Sequence, residues 1–104
     1  MPAPYRDLTT LRWTEIADRL SERSIIVQPL GAIEQHGPHL PLNTDAVIAT
    51  AVAQATVEER GDELDAWLLP TLSFTKSNEH AHFPGTVWLS AETLMSWCSL
   101  TVSS

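Results

Sequence analysis

The chain has 104 residues, 43% of them hydrophobic and 18% charged, which is the length and apolar content of one modest folded domain. Its formal net charge of −7, with only 6 Lys and Arg residues, argues against a nucleic-acid partner and against an anionic membrane surface. No stretch approaches the roughly 18 apolar residues of a membrane span, and the N-terminus lacks a secretory apolar region, so we expect a cytoplasmic protein. The single cysteine, Cys98, fits a reducing compartment, and we expect it to be a small apolar core residue.

The first predicted elements are a short helix and a buried strand. Residues 14–20 have helical apolar spacing, which runs from Trp13 through Ile16 to Leu20. Residues 24–30 form a compact β-branched and apolar run, typical of a strand in a sheet that is covered on both faces. The segment that follows starts at the carboxyl end of this strand, where open α/β sheets bind their ligands.

A second helix is predicted from Thr44 to the region of Gly61. Its apolar residues share one face of an amphipathic helix, and they are Val47, Ile48, Ala51, Val52 and Ala55. Residues 66–70 are typical of the next strand. Strand, helix and strand in this order predict a parallel βαβ unit with a right-handed crossover.

The C-terminal segment predicts a turn over residues 83–86, an extended piece over residues 87–89, and a helix from Ala91 to about Cys98 that Ser90 caps. No completing strand follows. Since two or three parallel strands leave open edges and a half-covered apolar sheet, we expect a truncated α/β fold. The chain is therefore predicted to be the N-terminal part of a single domain.

Residues 31–45 concentrate two carboxylates and two imidazoles among glycines and prolines. Such oxygen and nitrogen ligands suit Zn²⁺, Mn²⁺ or Fe²⁺, and the absence of nearby cysteine argues against a thiolate zinc site. Glu34 and His36 point to the same side of an extended segment. Asp45 returns to them from the first turn of the next helix, where the helix dipole favours a carboxylate. If Glu34 and His36 each bind one ion and Asp45 bridges them, the loop outlines a dinuclear hydrolytic centre.

Structural roles are the alternative for the same residues. In that interpretation Glu34 caps the turn and His36 hydrogen-bonds the backbone. We expect His39 to be a polar surface residue rather than a group that orients a ligand. A second cluster consists of Glu79, His80 and His82. Its members either line the substrate pocket and supply an acid–base group or belong to a solvated loop.

Two blocks of the sequence lie in the order and spacing of a known family. The first block is Pro29-Leu30-Gly31-Ala32-Ile33-Glu34-Gln35-His36-Gly37-Pro38-His39-Leu40-Pro41-Leu42-Asn43-Thr44-Asp45, and the second is Asn78-Glu79-His80 with Phe83-Pro84-Gly85-Thr86. Together they resemble the creatininase (creatinine amidohydrolase) family. The resemblance implies a three-layer α/β/α fold with a mostly parallel sheet, two divalent metal ions at its carboxyl edge, and a full-length protein that forms a homo-oligomer, often a hexamer. It also implies cleavage of a C–N bond in a small-molecule amide, a cyclic amide or a peptide.

The resemblance also implies roles for individual residues. It puts the family's first-block metal ligands on Glu34, His36 and Asp45, with Asp45 as the bridging carboxylate. Glu79 and His80 match the second block near the pocket, and we predict them to be catalytic. Family members are typically more than twice as long as this chain, and their remaining ligands include a histidine in an Asn-Gly-His segment that is absent here. The resemblance therefore implies an incomplete metal site in this chain.

The predicted function is hydrolysis of an amide or lactam C–N bond by a metal-activated water, in an enzyme of which this chain is a fragment. Two alternatives stay open. One is a non-catalytic or degenerate metal-binding module, or an assembly partner of another subunit. The other is a peptide-trimming hydrolase of the same family. The ligand set does not choose among Zn²⁺, Mn²⁺ and Fe²⁺.

Overall fold

The structure, a computed structural model, describes residues 6–103. The helices are α1 (Trp13–Arg19), α2 (Thr44–Leu64) and α3 (Ala91–Trp97), the strands are β1 (Ile25–Val27) and β2 (Ala66–Leu68), and short 3-10 turns span Leu8–Thr10 and Asn78–His80. Both strands are shorter than the apolar runs that predicted them. Pro29 and Pro70 follow them closely, and a proline has no N–H for a sheet hydrogen bond.

The two strands form a parallel pair, and α2 lies between them in the sequence. Ile25 pairs with Ala66, and Val27 pairs with Leu68. The predicted βαβ order and parallel pairing are therefore confirmed. The core cluster joins α2 to β2 and consists of Ala53, Val57, Ala66 and Leu68. Val57 is only 1% exposed, so this contact is where the helix is held against the sheet.

The end of α2 differs from the predicted one. The helix begins at Thr44, as predicted, but it continues through Gly61 to Leu64. Glycine at position 61 leaves room for the Arg6 side chain, because a Cβ there would lie 2.7 Å from Cδ of Arg6. The residue that ends the helix is Asp65, whose N–H still donates to the Gly61 carbonyl and whose left-handed backbone (φ 50°) turns the chain out of the helix.

The buried face of α2 lies opposite the predicted apolar face. The helix buries small residues, namely Ala53, Val57 and Gly61. Val47, Ile48 and Val52 are instead 54%, 56% and 61% exposed. Small side chains let the helix lie close to β2, whereas no described residue covers the bulkier stripe. The face that the hydrophobic spacing indicated is thus not the one that this part of the chain buries.

The α3 helix contributes little to the core. Its predicted cap is confirmed, since the Thr93 N–H donates to Ser90 Oγ at 3.1 Å. The helix buries none of its residues, and Cys98, just beyond its end, is exposed. The expectation that Cys98 is a core residue is therefore wrong, because α3 lies on the surface of the described residues. Within residues 6–103, no helix combines the length and the apolar content that crossing a membrane requires.

Candidate metal centre

Close contacts hold residues 31–45 against the elements on both sides. The Gly31 N–H donates to the Leu72 carbonyl at 2.8 Å, and Thr75 Oγ1 donates to the Gly31 carbonyl at 2.7 Å. A Cβ on Gly31 would lie 2.5 Å from Cα of Ala46, so only glycine lets the loop approach the start of α2 this closely. The loop after β1 and the first turn of α2 are thereby brought together.

The structure brings together the three predicted metal ligands, Glu34, His36 and Asp45. One ligand atom of each lies within 4.8 Å of those of the other two. His36 Nε2 is 3.1 Å from Asp45 Oδ1. The side chain of Glu34 is 13% exposed, that of His36 is 23% exposed and that of Asp45 is 38% exposed. The cluster is therefore most open to solvent at Asp45.

The ring of His36 presents Nε2 to the other ligands. Its Nδ1 lies 3.2 Å from the Glu34 carbonyl oxygen, which can only accept, so Nδ1 carries the proton. In the neutral ring the Nε2 lone pair then faces the carboxylate oxygen Asp45 Oδ1, an arrangement that is favourable when a proton or a metal cation lies between the two atoms. The Glu34 carbonyl, and after it the Asp45 carboxylate, raise the pKa of His36 above its ordinary value. The structural alternative predicted a hydrogen bond from His36 to the backbone, and this bond is present. Because it uses Nδ1, it leaves Nε2 to face the other candidate ligands.

A second cluster shares Glu34 with the first. Ligand atoms of Glu34, Glu79 and His80 lie within 4.8 Å of one another, and His80 Nε2 is 3.8 Å from Glu34 Oε2. Lys76 Nζ lies 3.1 Å from Glu79 Oε2. A hydrogen bond from the backbone of Glu79 itself, followed by the one from Lys76, lowers the pKa of the Glu79 carboxyl. Glu79 is therefore ionised at neutral pH and is poorly suited to donate a proton.

The remaining predicted residues lie outside these clusters. His39 is exposed, which agrees with the expectation of a surface residue, and His82 is exposed and belongs to neither cluster. Two residues near the site were not predicted. Gln35 Nε2 is 2.8 Å from His80 Nδ1, and Ser77 is fully buried with no hydrogen-bond partner for its Oγ among the described residues. The only sequence feature that could have pointed to Gln35 as a site residue is its position between two predicted ligands.

The donor set of the first cluster fits a divalent cation. Two carboxylates and one imidazole nitrogen, with an open side, match the composition of catalytic zinc-type sites. Two ligand atoms that are each about 2.1 Å from one tetrahedral ion lie roughly 3.4 Å apart. The 3.1 Å between His36 Nε2 and Asp45 Oδ1 is close to that separation. The residues present are therefore suited to hold such an ion.

Sequence relatives of the chain include two kinds of hydrolase. Over 65 residues it is 49% identical to the mycofactocin precursor peptide peptidase of Mycolicibacterium smegmatis, which covers 61% of this chain and 26% of that protein. Over 90 residues it is 36% identical to the creatinine amidohydrolase of Pseudomonas putida, which covers 81% of this chain and 33% of that protein. The chain thus spans a third or less of the length of these curated relatives.

Solved structures share the fold. A crystal structure of creatinine amidohydrolase (creatininase) has a TM-score of 0.76 and 35% identity, over 88% of this chain and 36% of that chain. A structure described as creatininase Mn has a TM-score of 0.72 and 34% identity, over 86% of this chain and 35% of that chain. The predicted fold class, α/β and part of a creatininase-like domain, is confirmed. Residues 9–104 match the sequence model of the creatininase family, described as creatinine amidohydrolase, and the chain belongs to this family.

Proposed function

We propose that residues 1–104 are the N-terminal part of a single creatininase-like domain and supply Glu34, His36 and Asp45 to a metal centre that hydrolyses a C–N bond. One observation carries the proposal. His36 has its Nδ1 tied to the backbone, while Nε2 lies 3.1 Å from Asp45 Oδ1 and beside Glu34. A surface histidine needs no such anchoring, but a metal ligand does.

Each ligand has a distinct part in the proposed centre. His36 offers a neutral nitrogen, and Glu34, the least exposed of the three, offers a carboxylate held beside it. Asp45 is the most open carboxylate and can contact two ions at once. Two bound Zn²⁺, Mn²⁺ or Fe²⁺ ions supply Lewis-acid activation of water and of the scissile carbonyl. Solved relatives described as Mn and Zn-Zn types support the choice of metals.

Glu79 and His80 are the proposed acid–base and orienting groups. Glu79, ionised beside Lys76, is suited to accept a proton or to orient a substrate nitrogen. His80 lies beside Glu34, with its Nε2 3.8 Å from Glu34 Oε2, where it can help to orient that carboxylate or a substrate group. The leaving nitrogen also needs a proton donor, which we assign to a residue outside these 104.

Peptide trimming is the second candidate, and the sequence comparison favours it. Identity is 49% to the peptide peptidase, against 36% to the creatinine amidohydrolase, although the first alignment is shorter. A peptide and a lactam both present an amide carbonyl and its nitrogen to the metal centre, so the proposed ligands are equally suited to the two substrates. The resemblance further supports a homo-oligomeric full-length protein, for which the sequence pattern favours a cytoplasmic location.

Metal uptake tests the proposed ligands. The chain is mixed with Zn²⁺ or Mn²⁺, freed of excess ion, and measured by elemental analysis beside a Glu34→Ala, His36→Ala, Asp45→Ala triple variant. Since three protein ligands can hold one catalytic-type ion, we expect about one ion per chain, lost in the triple variant. The control changes the same residue types at exposed positions, as Glu22→Ala, His39→Ala, Asp18→Ala, and keeps the metal. Equal uptake by both variants contradicts the assignment.

Catalysis is tested in full-length relatives. The segment of the M. smegmatis peptidase that aligns with this chain is replaced by this chain's residues, and the same exchange is made in the P. putida creatinine amidohydrolase. We expect metal-dependent hydrolysis in at least one chimera, abolished by His36→Ala, and the active chimera identifies the substrate class. If both chimeras fold and bind metal but hydrolyse neither substrate, a non-catalytic module is the correct interpretation. Alone, the 104-residue chain should show no turnover.

A further inference from the structure

The side-chain amide of Gln35 has one orientation that its neighbours permit. The Gly37 N–H lies 2.9 Å from Gln35 Oε1, and a backbone N–H can only donate. The oxygen of the amide must therefore face Gly37, and its NH₂ group faces His80. In the reversed orientation the NH₂ group of Gln35 would face the Gly37 N–H, and two donors cannot form a hydrogen bond.

The Gln35 amide in turn decides which nitrogen of the His80 ring carries the proton. Gln35 Nε2 lies 2.8 Å from His80 Nδ1. Because Nε2 of the amide donates, Nδ1 of His80 accepts, and the neutral ring carries its proton on Nε2. That Nε2–H faces Glu34 Oε2 at 3.8 Å, across from a carboxylate whose side chain is only 13% exposed.

Glu34 is thus flanked by two histidines in opposite tautomers. In its neutral form His36 is protonated on Nδ1, and its Nε2 lone pair faces Asp45 Oδ1 at 3.1 Å. The lone pair of neutral His80 is on Nδ1, where it accepts from Gln35, and its protonated Nε2 faces Glu34 Oε2 at 3.8 Å. We propose that Gln35 is a positioning residue: by donating to Nδ1 of His80 it keeps the ring proton on Nε2, so that neutral His80 has no free lone pair to offer to a metal ion. Of the two clusters that share Glu34, only the one with His36 then has an imidazole lone pair to offer.

This inference rests on the proposed function for the role of Glu34 as a ligand, but the tautomer of His80 can be measured without any metal. The measurement is ¹⁵N NMR of the imidazole rings in the whole ¹⁵N-labelled chain, at a pH where histidine is neutral. Protonated and unprotonated ring nitrogens resonate far apart, so the tautomer is read directly. The chain has 4 histidines, and the signals that disappear in a His80→Gln variant identify His80. We expect Nε2–H at His80, and Nδ1–H there overturns the proposal.

A matched pair of variants tests the role of Gln35. Gln35→Glu replaces the donating NH₂ by an oxygen that only accepts, so we expect neutral His80 to shift to Nδ1–H. Gln54→Glu makes the same chemical change on α2, about 14 Å along the helix from Asp45, and should leave His80 unchanged. An unchanged His80 in folded Gln35→Glu overturns the proposal. If that variant does not fold, the tautomer of the unaltered chain still decides.

Titration with Zn²⁺ separates this inference from the proposed function. In the unaltered chain we expect Zn²⁺ to shift the Nε2 signal of His36 and to leave that of His80 in place. In Gln35→Glu the Nε2 lone pair of His80 is released, so Zn²⁺ should shift both. A His80 shift in the unaltered chain overturns the inference. If Zn²⁺ shifts neither histidine while His80 is Nε2–H, the proposed metal site fails and the tautomer assignment stands.

Discussion

His36 Nε2 and Asp45 Oδ1 lie 3.1 Å apart, and this contact joins the loop after β1 to the first turn of α2. The contact exists because Gly31 lets the loop pass within touching distance of Ala46. An imidazole lone pair and a carboxylate oxygen then face each other at a separation that one divalent ion can bridge.

Asp45→Asn should separate metal binding from folding. The amide has the shape of the carboxylate but lacks its charge. Loss of even a residue that supports a ligand costs about 10- to 100-fold in metal affinity, so losing Asp45 as a ligand should cost at least about 10-fold. The unfolding free energy should fall by only about 0.3–1 kcal/mol, through the lost helix-dipole interaction. Calorimetric Zn²⁺ titration and urea unfolding measure the two effects, with Asp18→Asn as control. Unchanged Zn²⁺ affinity contradicts the ligand assignment.

Gly31→Ala should disrupt the approach of the loop to α2. The added Cβ would lie 2.5 Å from Cα of Ala46, which is backbone and cannot swing aside. We expect the unfolding free energy to fall by about 2 kcal/mol and metal uptake to weaken. Gly61→Ala is the comparison, since its Cβ would meet side-chain atoms of Arg6 and Val57 and no backbone, and alanine favours the helix by about 1 kcal/mol, so we expect a smaller loss. Equal losses in urea unfolding contradict the role given to Gly31.

Asp65 should make the stability of the chain depend on acidic pH. A hydrogen bond from Ser24 Oγ, then those from Trp67 Nε1 and Arg6, lower the pKa of the Asp65 carboxyl in the folded state. This stabilisation is present above the unfolded-state pKa and is lost as pH falls through the lower folded-state value. Asp65→Asn keeps a residue that tolerates the left-handed backbone but removes the charge. Its unfolding free energy should vary less with pH below about 4 than that of the unaltered chain.

Val57→Ala and Val52→Ala should differ although the chemical change is the same. Val57 is 1% exposed in the core cluster, whereas Val52 is 61% exposed on the opposite face of α2. We expect a loss of about 2 kcal/mol in unfolding free energy for Val57 and less than about 0.5 kcal/mol for Val52. Urea unfolding at matched conditions checks both. A larger loss at Val52 would mean that the bulky stripe of α2 is covered in solution.

Local sequence patterns predicted much of the fold. The cap at Ser90, the start of α2 at Thr44 and the parallel order of β1 and β2 all follow from short-range signals. The site was predicted because Glu34, His36 and Asp45 are close in sequence and the residues among them stiffen the loop. Local patterns did not predict which surface of a helix is buried. They gave the wrong face for α2, and they placed Cys98 in the core although it is exposed.

The sequence by itself determined the family blocks, the candidate ligand residues and the βαβ order, because each depends mainly on local sequence patterns. Only the tertiary structure decided that α2 buries its small-residue face, since the choice of buried face depends on how closely the helix can approach β2. It also placed Gln35 against His80, which is 45 residues away in sequence. The tautomer that we propose for His80 depends on this distant neighbour, which no local pattern records, whereas that of His36 depends on the carbonyl of Glu34, two residues away.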